Sequence, residues 1–127
     1  MSAIVGIGLD LVEISRVTRS LDRWGARLVD KLMDPEEASR LPAGGEDRAR
    51  AVAAAIALKE AASKALGTGW SRGVHWRQVI ARTGPPATVL LTARAAHVAR
   101  ARGSSGATVT SMEARGDLLL AEVWLLE

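Results

Sequence analysis

A chain of 127 residues with a formal net charge of +3 has the size of one domain. It has no Cys, which excludes a disulfide scaffold, a thiolate metal site and a Cys nucleophile, and its two His, His75 and His97, are too few for a multi-His zinc site in one chain. It has no Phe or Tyr, so its core must come mostly from Ala, Val, Leu and Ile, and self-association is one way for such a chain to bury more surface.

In chain order, Ala3 to Glu13 alternates weakly and reads as a strand, with Gly6 and Gly8 admitting close approach of another backbone. Asp10 and Glu13 stand where a secretion signal would need basic and then apolar residues, so a cytoplasmic protein is expected. Ser15 is a good N-cap for a helix running to about Val29. Asp34-Pro35-Glu36-Glu37 supplies a cap, a first-turn Pro and a capping-box Glu, opening a short helix. Leu41 to Asp47 reads as a loop, and Arg48 to Leu66 as the strongest helix, stopped by Gly67. Its most apolar window, Val52 to Leu58, is too short to span a membrane and runs into Lys59 and Glu60.

The second half is richer in strands. Val74 to Arg82 alternates, Gly84-Pro85-Pro86 turns the chain, and Ala87 to Leu91 alternates again. Thr92 caps a helix ending near Gly103. Ala107 to Met112 and Leu118 to Leu126 form a closing antiparallel pair around Ala114 to Asp117. Strands and helices without regular βαβ alternation predict one α+β domain over residues 1–127, a small antiparallel sheet packed on a long helix.

Fourteen of the seventeen basic residues are Arg, whose planar fork suits phosphate and carboxylate. A GC-rich genome would produce the same bias. Arg16, Arg19, Arg23 and Arg27 fall on one face of a continuous first helix, beside an apolar stripe of Val17, Leu21, Trp24 and Leu28. Such a face is either solvated or a docking surface for an acidic helix or a nucleic-acid backbone. Asp10 and Glu60 are a candidate pair of Mg²⁺ ligands, because Mg²⁺ takes one or two carboxylates and fills its shell with water and phosphate oxygens. Spacing alone leaves open whether they meet. Lys64, one turn after Glu60, either holds a phosphate or pairs with Glu60 along the helix. Gly67-Thr68-Gly69 is most simply a helix terminator, and His75 and His97 read as structural or solvated.

Two segments together resemble a known family. Ile7-Gly8-Leu9-Asp10-Leu11-Val12-Glu13-Ile14-Ser15-Arg16 is similar to the N-terminal signature of the holo-acyl-carrier-protein synthases, the small 4′-phosphopantetheinyl transferases. Lys59-Glu60-Ala61-Ala62-Ser63-Lys64-Ala65-Leu66-Gly67-Thr68-Gly69 is similar to their central signature, and Trp76 lies where the family often has Trp. The resemblance implies transfer of the phosphopantetheine arm of coenzyme A to a Ser of an apo acyl carrier protein, with release of adenosine 3′,5′-bisphosphate. It implies Mg²⁺ and a homotrimer with active sites between subunits, and neither a nucleic-acid partner nor a membrane. Carried over by position, Asp10 and Glu60 become catalytic metal ligands. Lys64 becomes a catalytic contact to the coenzyme A phosphates, with Gly67 of the same motif beside the donor. Arg115, which has no counterpart in the family pattern, is a further candidate to offer charge to a coenzyme A phosphate. Arg16 and Arg23 become docking residues for the acidic helix of the carrier, and Arg19 and Arg27 extend that docking face through the helical stripe. These roles agree with the chemistry: a metal and a Lys neutralise the non-bridging oxygens, docking sets the in-line approach of the Ser hydroxyl, and a water near Glu60 is the candidate base.

The sequence also departs from the family. Ala114 and Arg115 occupy positions expected to hold His or Asp and then an acid, with Glu113 one residue early. Ala55 and Ile56 stand where Arg and Phe are frequent before the Lys-Glu pair. A homologue that binds carrier or coenzyme A without transfer is therefore the second reading, and a basic nucleic-acid module the third. The resemblance names neither the carrier nor the pathway; fatty-acid and polyketide synthesis are both open.

Overall fold

The computed structural model describes residues 3–127; of the domain expected over 1–127, Met1 and Ser2 lie outside them. β1 (Ile4–Glu13) runs without a connecting residue into α1 (Ile14–Trp24). α2 (Ala26–Leu32), α3 (Pro35–Ser39) and the long α4 (Gly45–Leu66) follow. A 3₁₀ turn at Trp76–Gln78 leads into β2 (Val79–Arg82) and β3 (Thr88–Leu91). α5 (Ala93–Ala101), β4 (Thr108–Arg115) and β5 (Leu118–Leu126) complete the described elements. The long strands make an antiparallel sheet in the order β1-β5-β4, and β2 and β3 pair separately. The architecture is the α+β arrangement of a small antiparallel sheet on a long helix.

Small residues bring helix and sheet together. A Cβ built on Gly8 would lie 1.8 Å from the Ala61 carbonyl oxygen, and one on Gly6 would lie 2.0 Å from that of Ala65. Both glycines are therefore required by close approach to α4, as their place in the strand predicts. On the helix side Ala53, Ala57, Ala61 and Ala65 are all buried, so the contact is made by backbone and methyl groups. Val123 and Leu125 of β5 and Leu32, Met33, Val74 and Val79 fill the rest of an aliphatic core.

Alternation divides the sheet into two faces. Gly8 and Asp10 on β1, with Ala121 and Val123 on β5, turn toward α4. Ile7, Leu9 and Leu11 on β1, Leu118 and Leu120 on β5 and Val109 on β4 occupy the other face and stay exposed, Leu11 at 60%. A contiguous apolar surface of this kind marks an interaction face.

Several local expectations fail for identifiable reasons. The first helix begins at Ile14, so Ser15 is inside it rather than capping it, and it breaks at Gly25, whose φ is +52°. Arg27 consequently belongs to α2 and is not on one continuous helix with Arg16, Arg19 and Arg23. Trp24, the third residue of the predicted apolar stripe, is 45% exposed, while Leu28 packs against the core from α2. Asp34 caps α3 by accepting the Glu37 N–H at 2.8 Å, but the Glu37 side chain turns into the core instead of closing a capping box. α4 starts three residues before Arg48, at Gly45. The strand expected over Val74–Arg82 is only Val79–Arg82, because the Gln78 side chain folds back to the His75 N–H and the Gly73 carbonyl and shapes a 3₁₀ turn. Thr92 precedes α5, yet its hydroxyl donates to the Gln78 carbonyl rather than capping the helix.

Candidate functional site

The corner where β1 becomes α1 holds a cavity of about 460 Å³. Asp10, Val12 and Glu13 come from β1, Arg16 and Ser20 from α1, Ile56 and Glu60 from α4, and Leu28 from α2. Asp10 reaches it because Gly8 lets β1 lie directly on α4, and Glu60 because it sits one residue before Ala61, the point of contact with Gly8. The two carboxylates that lie far apart in the sequence thus line one cavity. Glu13 shares the lining, but the described residues contain no cluster of three His, Cys, Asp or Glu arranged to hold a metal.

Lys64 is tied to the strand rather than to its own helix. Its Nζ donates to Asp10 Oδ1 at 3.0 Å and to the Leu9 carbonyl at 2.9 Å, so the helical pairing with Glu60 does not form. Half of the Lys64 side chain remains exposed, whereas the Asp10 carboxylate is mostly covered. Asp10 Oδ2 and the Glu60 carboxylate have no hydrogen-bond partner among the described residues. Two carboxylates with free oxygens, beside a half-exposed ammonium, suit a hard divalent cation that keeps most of its shell for water and phosphate oxygens. The donor set present therefore fits Mg²⁺.

The neighbouring Lys59 behaves quite differently. It is fully buried, and its Nζ donates to Glu37 Oε1 at 2.9 Å, to the Trp76 carbonyl at 3.1 Å and to the Val79 carbonyl. Glu37 Oε2 accepts the Ala81 N–H at 3.0 Å. Burial pushes the Lys59 ammonium below its ordinary pKa of 10.5, against the opposing pull of Glu37. This network pins α3 and β2 to α4, and its lysine points away from the cavity that its neighbour Glu60 lines.

The remaining sequence-predicted residues are dispersed. Gly67 ends α4 in the left-handed region at φ +82°, and a Cβ there would lie 2.9 Å from Arg102 Nη1. Arg102 donates to the Ala65 carbonyl at 2.7 Å, satisfying an end-of-helix acceptor. Gly67 is thus a helix terminator, outside the cavity lining. Arg115 stands on the outer face of the sheet, opposite the face that carries Asp10, with its side chain 89% exposed and 3.8 Å from Glu113. Within one chain it does not join the carboxylates. Of the four arginines, Arg16 lines the cavity and Arg19 lines the next cleft, beside Arg50. Arg23 and Arg27 lie over the Trp24 ring, 4.9 and 5.7 Å from its centroid. His75 and His97 are exposed, as expected of solvated residues.

Sequence reasoning missed Asp117, which holds the first turn of α1, and Arg102, which ties α5 to α4 and β1. Neither carries a local signal, since each acts on an element remote in sequence. Ile56 was visible as a departure, and the structure sets it in the cavity wall beside Glu60. No helix among the described residues is long and apolar enough to cross a membrane.

Comparisons with known proteins point to one family. The family model of the 4′-phosphopantetheinyl transferase superfamily matches residues 6–113, a span that includes Asp10, Glu60 and Lys64. The holo-[acyl-carrier-protein] synthase of Rhodopseudomonas palustris (strain HaA2) is 40% identical over 130 residues, covering 97% of this chain and 87% of that protein. The crystal structure of holo-[acyl-carrier-protein] synthase from Neisseria meningitidis superposes with a TM-score of 0.81 at 28% identity, covering 97% of this chain and 98% of that one. The Helicobacter pylori holo-[acyl-carrier-protein] synthase in complex with coenzyme A shares the fold, with a TM-score of 0.74 at 23% identity over 94% of this chain and 98% of that one.

Proposed function

The chain belongs to the 4′-phosphopantetheinyl transferase superfamily, and on that premise we propose that it is a holo-acyl-carrier-protein synthase, moving the phosphopantetheine arm of coenzyme A to a Ser of an apo acyl carrier protein. The observation that carries this reading is the meeting of Asp10 and Glu60 in one cavity, with Lys64 on Asp10 and Arg16 in the wall. The R. palustris and N. meningitidis relatives bear that activity in their names, and the H. pylori relative binds coenzyme A.

In this reading Asp10 and Glu60 hold Mg²⁺, which when bound supplies positive charge to the phosphate oxygens of the donor. Lys64 serves the same purpose from the side. Two of its three N–H groups are held by Asp10 and the Leu9 carbonyl, and the side chain is half exposed, so the third is left for a donor phosphate while the ammonium keeps its place. The leaving group is adenosine 3′,5′-bisphosphate. The carrier hydroxyl must lose its proton as it attacks, and Glu60 faces the cavity with no internal partner to compete for a water placed there. Arg16 stands where an incoming acidic helix meets the cavity, and Arg19, Arg23 and Arg27 continue the positive surface across α1 and α2. The stacking of Arg23 and Arg27 on Trp24 holds two guanidinium groups in place and reduces the ordering cost of docking.

The exposed apolar face formed by Ile7, Leu9, Leu11, Leu118 and Leu120 supports self-association through the sheet, which the family resemblance makes a homotrimer. Such packing would carry Arg115, on that same face, toward the cavity of a neighbouring copy and its coenzyme A. Gly67 has support only as a helix terminator. For this reading we expect a cytoplasmic setting and neither a nucleic-acid partner nor a membrane.

The test is to incubate the protein with an apo acyl carrier protein, coenzyme A and Mg²⁺ and to weigh the carrier by mass spectrometry. A gain of one phosphopantetheine group is expected, with the rate falling about 10²–10³-fold in Asp10→Ala or Glu60→Ala. Binding of carrier without any transfer would replace this reading with that of a homologue that has lost the step, which the altered Glu113-Ala114-Arg115 segment would explain.

A further inference from the structure

The start of α1 is held from an unexpected direction. Its N-cap position is Glu13, whose side chain makes no capping bond and lines the cavity instead, and its first turn has no acidic residue. The first N–H groups of a helix have no partner within the helix, and leaving them unmet is costly. Here Asp117 meets two of them, those of Ile14 and Ser15. Its backbone carbonyl accepts the Ile14 N–H at 2.8 Å, its Oδ1 accepts the Ser15 N–H at 2.9 Å, and its Oδ2 accepts the Ser15 hydroxyl at 2.5 Å. A carboxylate at this end also complements the helix dipole.

All three oxygens of Asp117 therefore accept a bond from one turn of helix contributed by a distant part of the chain. The position of that turn matters. Asp117 lies between β4 and β5, and the next residue, Leu118, is the register partner of Glu13 at the end of β1. With no linker between β1 and α1, the backbone direction at Ile14 and Ser15 decides where Arg16 stands relative to Asp10. Arg16 is the one arginine of the docking surface that lines the carboxylate cavity.

We propose that Asp117 is a positioning residue for the carrier protein: by clamping the first turn of α1 to the β4–β5 turn, it fixes Arg16 in the cavity wall where the acidic partner docks. This rests on the reading of α1 as the docking helix. It assigns the turn a part in acceptor recognition although none of its atoms need touch the acceptor. Exchange of the clamp for a residue without acceptors loosens the corner and weakens docking, while the donor side of the cavity keeps its residues and their bonds.

Steady-state kinetics with apo carrier and coenzyme A varied separately test this. For Asp117→Ala, the KM for carrier should rise about fivefold, the loss expected of a missing helix cap. The KM for coenzyme A and kcat at saturating carrier should stay within about twofold. Asp117→Asn, whose carbonyl still accepts the Ser15 N–H, should recover most of the loss. Adding Asp117→Ala to Arg16→Ala should raise the carrier KM no further than Arg16→Ala alone, since the clamp acts through Arg16. A fall in kcat at unchanged carrier KM, or equal rises in both KM values, overturns the proposal. So does additivity with Arg16→Ala. Should Asp117→Ala fail to fold by circular dichroism, Ser15→Ala, which removes one bond of the clamp, carries the same expectation in direction: unchanged carrier KM there overturns it. Direct titration of apo carrier separates this from the underlying reading. Carrier binding by the parent chain that Arg16→Glu leaves unchanged sinks the docking helix itself, and the clamp's role with it. Binding that Arg16→Glu weakens and Asp117→Ala leaves intact sinks only the clamp.

Discussion

Lys59 and Lys64 stand on the same helix in one motif, and each pairs with a carboxylate from another element, yet they belong to different kinds of chemistry. Lys59–Glu37 is sealed inside the molecule, with every ammonium contact fixed by Glu37 and two backbone carbonyls. Lys64–Asp10 lies at the rim, with half of the lysine open to solvent. Burial makes the difference. A sealed ion pair contributes definition rather than net stability, because its desolvation cost offsets most of its attraction. An open one contributes little stability but keeps a charge available to a ligand. Motif spacing puts both lysines on α4, and helical phase turns one inward and the other toward β1.

The largest expected effect is on the sealed pair. Lys59→Ala leaves Glu37 charged and buried without a counter-ion, and urea unfolding should show a loss of about 3–5 kcal/mol. Lys59→Met with Glu37→Gln should regain much of this, because Gln keeps an acceptor for the Ala81 N–H while removing the charge. The pH dependence follows from the lowered Lys59 pKa. Between the folded-state value and the ordinary 10.5 the unfolded chain binds more protons. Lys59 therefore makes stability rise with pH through that window. The slope should be present in the parent chain and missing from the Met–Gln double variant. A parent slope no larger than the variant's would break the distinction drawn between the two lysines.

The open pair should show the reverse profile. Lys64→Ala is expected to change stability by less than about 1 kcal/mol, since the pair is solvent-screened. The transfer rate should fall about 10²-fold through loss of a charge aimed at the donor phosphate. Unfolding and mass-spectrometric rates on the same sample decide it. A large stability loss with proportionate loss of rate would make Lys64 a second structural lysine.

These outcomes bear on what the sequence makes legible. Close approach of β1 and α4 is readable from Gly6 and Gly8 against an Ala-rich helix, because small residues in both partners have one steric meaning. Asp10 and Glu60 are readable as a pair only through the resemblance, since nothing local says that a strand end and a mid-helix residue meet. The fate of Glu37 is not readable at all: Asp34-Pro35-Glu36-Glu37 satisfies a local capping rule, and a tertiary bond to Lys59 overrides it. Gly25 is a sharper lesson. A lone Gly in an amphipathic pattern is tolerated in many helices, and only its positive φ reveals that Arg27 has left the first helix. Asp117 is beyond any local rule, because its acceptors serve a turn of helix formed at the other end of the chain.

The smallest expected effect concerns a charge with no role inside one chain. Arg115 is almost wholly exposed on the face away from Asp10, so truncating it should leave folding unchanged. Leu11 and Leu118 of that face also line the rim of the carboxylate cavity, so if copies of the chain pack through Leu9, Leu11 and Leu120, Arg115 meets the rim of a neighbour's cavity. Arg115→Ala should then raise the KM for coenzyme A by about threefold, the scale of one partly screened contact. Leu9→Glu, which charges the same face, should separate the copies in analytical ultracentrifugation and raise that KM at least as much. Combining the two should add nothing, because the arginine can act only across the interface. Additive effects would return Arg115 to its own chain's chemistry, where its position on the outer face gives it nothing to hold.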